Sequence, residues 1–93
     1  MRHPTIHLNG TGAKTLLDGY LEAIHQLGQA LNAINNIEFN ARDYYPQGSS
    51  AWGVAESEME DRKAGIMRAK LDFEDIAERI QATIDEQSKR KNA

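Results

Sequence analysis

The sequence predicts an all-α protein: an antiparallel helical hairpin with a short extended N-terminal arm, assembled into a homo-oligomeric helical bundle. Three observations predict it. Two long stretches repeat apolar residues at steps of three and four, a Pro- and Gly-bearing stretch parts them, and 93 residues make one small domain with a thin core of its own. A chain this short hides only about 60–65% of its unfolded surface, and self-association is a common remedy.

Residues 1–10 form the arm. Pro4 turns His3 away from helical geometry, Ile6 and Leu8 alternate with polar neighbours, and Asn9-Gly10 marks a turn. Thr11 comes next as an N-cap, and the first helix is expected over 11–39. Its seam is Leu17, Tyr20, Ile24, Leu27, Leu31 and Ile34; a second apolar row, Leu16, Ala23, Ala30 and Ile37, runs beside it. A face so wide calls for more than one neighbouring helix.

Residues 40–50 break the pattern at Pro46 and Gly48, and Ser49 or Ser50 can cap the second helix. That helix is expected over 51–88, with a seam running from Trp52 to Ile80 and charged only at Arg62; 89–93 is a basic tail. The helices should be roughly 40 Å and 57 Å long, so Ile80 and Ile84 are expected on an overhang. The arm, through Ile6 and Leu8, or another subunit would cover them. Met67 and Leu71 make a further small patch off the seam.

Composition narrows the function classes. The chain is 40% hydrophobic and 27% charged, has a net charge of −3, and contains no cysteine. A disulfide framework and CxxC chemistry are thereby excluded, and a reducing cytoplasm is expected. Neither a bilayer-length apolar run nor a charged-then-apolar leader is present, so neither membrane insertion nor export is expected. From residue 51 onward eight basic side chains face ten acidic ones, which leaves no basic stripe to track a nucleic acid.

Catalytic and metal motifs do not assemble. Gly10 to Thr15 resembles a phosphate loop, but Ala13 stands where a glycine is required and no parallel sheet surrounds it. A capped helix start explains the segment, although free amides there and Lys14 can meet an anion. His3, His7 and His25 have no ligand spacing, and no nucleophile has a positioned base. The expectation is a non-enzyme with neither metal nor cofactor.

The connection holds the candidate site. Asn40, Arg42, Asp43, Tyr44, Tyr45 and Gln47 are costly residue types for a turn, and Trp52 lies just beyond them. Tyr44 and Tyr45 can sandwich a base, Arg42 and Lys14 can meet phosphate, and Asn40, Asp43 and Gln47 can read edges. His7, Asn9 and Thr11 are further candidates that only assembly would bring near the loop. The same residues have a plainer use, in which Tyr44, Tyr45 and Trp52 close the hairpin end and Arg42 pairs with Asp43.

The run His7-Leu8-Asn9-Gly10-Thr11 and the loop Asn40-Ala41-Arg42-Asp43-Tyr44-Tyr45-Pro46-Gln47-Gly48 resemble those of a group of small phage proteins of unknown activity. The resemblance covers about residues 6 to 60 and implies action in the cytoplasm of an infected bacterial cell. In architecture alone the chain is similar to phage sponge proteins, small helical oligomers that sequester the cyclic-nucleotide or cyclic ADP-ribose signals of CBASS and Thoeris immunity. That likeness implies a non-enzymatic sponge for a nucleotide-type signal, with the loop as ligand site. The alternative is a phage structural or protein-interaction module, an assembly factor or an inhibitor of a host protein, acting through its helical faces and Tyr-rich loop.

Overall fold

In the computed structural model the chain is two long helices packed as an antiparallel hairpin; the structure describes residues 2–5 and 11–91, with only the backbone of Thr11, Arg90 and Lys91. Helix α1 spans Thr11–Asn35 and helix α2 spans Ala51–Lys91. Two single-turn 3-10 segments, Ala41–Asp43 and Tyr45–Gln47, lie between them. Ile6 and Leu8, the apolar pair expected in the arm, lie outside the described residues.

Four expected boundaries shift. Thr11 is the first helical residue and not the cap preceding it. α1 stops at Asn35, short of the expected Phe39. There the Asn36 amide is shared between the carbonyls of Asn32 and Ala33, both at 3.2 Å, and Ile37 bonds Ile34 at 3.1 Å. The helix tightens into a turn at the Asn35-Asn36 pair, whose side chains compete for backbone bonds. The connection is therefore longer than 40–50. At the far end α2 continues to Lys91, so the expected basic tail begins inside the helix, where its cations offset the exposed carbonyls.

The two helices differ in how they are held. α1 carries only three charged side chains, Lys14, Asp18 and Glu22, and depends on its apolar face. α2 is densely charged and gains local support from pairs one turn apart, Lys70–Glu74 at 2.7 Å and Arg62–Glu58 at 3.3 Å. Such pairs contribute roughly 0.2–0.5 kcal/mol each.

Packing concentrates at the end away from the connection. Leu17 meets Ile76, Ala77 and Ile80 in the core, with Tyr20, Ile24, Phe73 and Ile84 packed against it. The Tyr20 and Phe73 ring centroids are 5.6 Å apart. Ile80, expected on an overhang, is instead the most buried large side chain, 1% exposed, and Ile84 is half-buried beside it. The cause is register: the connection lies over the first turns of α2, so α1 pairs with the later part of that helix. Residues 2–5 reach the same end, where His3 Nε2 lies 3.4 Å from Asp75 Oδ2, and His3 and Pro4 line a cleft with Arg79, Ile80 and Thr83.

The result is a rod of 69 × 22 × 17 Å. Its radius of gyration is 20.1 Å, against about 12 Å for a compact chain of this length. Among the described residues only Ala13, Leu17, Ile76, Ala77 and Ile80 are buried.

Candidate functional site

The connection is a built structure. Asn40 enters in an extended conformation, and its carbonyl accepts from Asp43 N at 3.2 Å; Tyr44 N then bonds Ala41 O at 2.9 Å. Pro46 is the second residue of the second turn, within its first positions where a missing N–H costs nothing, and Gln47 N bonds Tyr44 O at 3.0 Å. Gly48 ends it at φ 116°, a region that side-chain-bearing residues avoid. Ser50 takes the N-cap position of α2, its carbonyl accepting from Val54 N at 3.2 Å.

These turns fold three rings together over the start of α2. Phe39 lies 4.7 Å from Trp52 and 5.8 Å, edge-on, from Tyr44, and Tyr44 lies 5.7 Å from Trp52. All three are half-buried. Two expected site residues, Tyr44 and Trp52, therefore have faces occupied by each other and by Phe39. The spacing puts Phe39 at the end of the first helix and so hides its part; the signal for it is the Asn35-Asn36 break just before.

Tyr45 behaves differently. It is 67% exposed and belongs to none of the ring pairs among the described residues. Asn40, Arg42, Asp43 and Gln47 are exposed as well. The expected Arg42–Asp43 ion pair does not form, and Arg42 has no ion-pair partner among the described residues. The loop thus divides in two: Tyr44 and Trp52 hold it down, and Tyr45, Arg42 and Gln47 face outward. A cleft of about 320 Å³ opens between it and α2, lined by Tyr44, Gln47, Val54, Glu58 and Arg62.

Lys14 is exposed near the other end of α1, roughly 30 Å from the loop at 1.5 Å per residue. Thr11 is at that end too, its side chain outside the description, and His7 and Asn9 lie outside the described residues. Within one chain neither Lys14 nor the backbone of Thr11 is near the loop. Among the described residues no three His, Asp or Glu side chains converge as they would around a metal ion, and no helix is long and apolar enough to cross a membrane.

A larger concavity than the loop cleft lies elsewhere. A groove of about 700 Å³ runs along α1 from Gly12 to Ala23, floored by Leu16, Gly19, Tyr20 and Phe73. Its lining is almost wholly apolar.

Fold and surfaces together define an antiparallel helical hairpin with an aromatic-capped turn and exposed apolar faces. Comparison with protein-family models, with curated proteins and with solved structures finds no match.

Proposed function

We propose that the chain is a non-enzymatic interaction module that works as a homo-oligomer and engages a partner through its helical faces and loop. Under this reading it acts in the cytoplasm of an infected bacterial cell, as the resemblance to small phage proteins implies. The observation that carries it is surface area. The chain exposes 7090 Å², whereas a compact monomer of 10.4 kDa exposes about 5,400 Å². The excess, roughly 1,700 Å², is about twice the 800 Å² that each partner contributes to a standard interface. Apolar side chains make up part of it: Leu16 on α1 is exposed, and so is Ile37 just past its end. Light scattering on the purified protein tests this. The expected mass is at least twice 10.4 kDa; a monomer at every concentration rejects the reading.

A nucleotide sponge is the second reading, favoured by one observation: Tyr45 and Arg42 are exposed, without a ring or ion-pair partner among the described residues, on a loop with an aromatic cap. A ring for stacking and a guanidinium for phosphate suit a small anionic ligand. Here the base stacks on Tyr45 and not between two tyrosines. Calorimetric titration with cyclic di- and trinucleotides and cyclic ADP-ribose isomers separates the readings. A sponge binds one of them and releases it intact on denaturation, and an interaction module binds none.

A further inference from the structure

α1 carries two seams, and the hairpin uses one. The unused seam continues the four-and-three spacing through Gly12, Leu16, Gly19 and Ala23, then Gln26, Ala30 and Ala33. None of its members is buried, and its first half is the apolar groove above Tyr20 and Phe73.

Resting on the self-association reading above, we propose that a second copy of this chain occupies this groove, α1 against α1 and antiparallel, with the two-fold axis between Ala23 and Gln26. Three features identify the occupant as the chain itself. The seam is self-complementary about that point, for Leu16 falls opposite the partner's Ala33, Gly19 opposite the partner's Ala30, and Ala23 opposite the partner's Gln26. Leu16 and Gln26 each meet a small residue and Gly19 meets Ala30, so no step sets bulk against bulk and the pattern reads the same from either copy, as an isologous contact requires. Small side chains also let the backbones approach closely enough for the groove to be filled. Next, α1 has three charged side chains in 25 residues, so two copies meet without the repulsion that α2, with its dense charge, would set up. Finally, the surplus surface of the single chain exceeds what one standard interface buries.

The register has a consequence for the loop. Antiparallel pairing over the whole of α1 sets the aromatic-capped connection of one chain beside the start of the partner's α1. Residues that one hairpin holds at opposite ends become neighbours in the dimer.

The test combines mass and cross-linking. Ala23→Glu places a charge at the centre of the proposed contact and should halve the mass; Leu71→Glu, on α2, should leave it unchanged. Both variants should keep their helical circular dichroism. Because the chain has no cysteine, a register readout that leaves most of the surface intact is available. Leu16→Cys and Ala33→Cys chains, mixed and oxidised, should form a heterodisulfide, and each alone should form little. A wild-type monomer defeats this proposal together with self-association. Loss of mass in Leu71→Glu but not in Ala23→Glu keeps self-association and overturns this face. A strong Leu16→Cys disulfide with itself means parallel packing and overturns the register. Should Ala23→Glu unfold, the mixed disulfide still decides.

Discussion

The ring of Phe39 packs 4.7 Å from that of Trp52, tilted by 45°, and so ties the stretch leaving α1 to the first turn of α2. Tyr44 closes the group from the 3-10 turns. The connection lies back over the first turns of α2, and α1 pairs with the later part of that helix, where Leu17 meets Ile80 at the opposite end of the rod. Loop and core are two ends of one arrangement.

Trp52→Ala removes the ring common to the two closest pairs of the cap. Full burial would make such a loss worth 3–5 kcal/mol; a half-buried site should give about 2 kcal/mol. For a domain of this size, the melting temperature followed by circular dichroism should fall by about 10 °C. A shift under 2 °C would mean that the cap does not hold the register.

Tyr45→Ala should leave stability within about 0.5 kcal/mol, since its ring is largely exposed and in no ring pair among the described residues. Paired with the Trp52 variant, it separates fold from function in the loop. Under the sponge reading the same change should weaken ligand binding by about 1–3 kcal/mol, the usual loss of one stacking face. Unchanged affinity for a bound nucleotide would remove Tyr45 from that role.

Ile80→Ala and Ile84→Ala test where the core ends. Ile80 is 1% exposed in contact with Leu17, Ile76 and Ala77, so truncation should cost about 3 kcal/mol. Ile84 is only half-buried and should cost about half as much. Urea midpoints at a common m-value measure both. Equal losses would show that the last turns of α2 are as well covered as the core.

The helices are legible in the sequence because their signal is periodic and local. Leu17, Tyr20 and Ile24 on α1, and Phe73, Ile76 and Ile80 on α2, all lie on the seams read from spacing, and they pack as a hairpin. The pairing register is not legible, because a seam of repeated threes and fours fits a partner at many offsets. Spacing alone therefore leaves Ile80 overhanging, and the shift that buries it comes from the connection. The loop stands out by its residue types, yet spacing does not say which rings turn inward. That depends on Phe39, whose helical position in the periodic pattern conceals a swing into the cap. Tyr44 and Tyr45 are neighbours of the same type, and only the 3-10 geometry assigns one to packing and the other to solvent.

Glycines on this chain should respond to alanine with opposite signs. Gly48 sits at φ 116° between the second 3-10 turn and α2, where a Cβ is strained whatever the space around it. Gly48→Ala should therefore lower stability by about 1–2 kcal/mol, and by distorting the turn it should also loosen Tyr44 from Trp52. Gly53 and Gly65 lie inside α2 with nothing within 4 Å of an added Cβ. There, alanine restricts the unfolded chain and restores helix propensity, so each substitution should raise stability by about 0.5–1 kcal/mol. The paired thermal melts make a sharp check, since the chemical change is identical at all three positions and only the backbone differs. A stabilising Gly48→Ala would mean that the connection does not turn through the conformation described. A destabilising Gly65→Ala, in a helix with open space around that position, would point to a neighbouring chain packed closely against that stretch of α2.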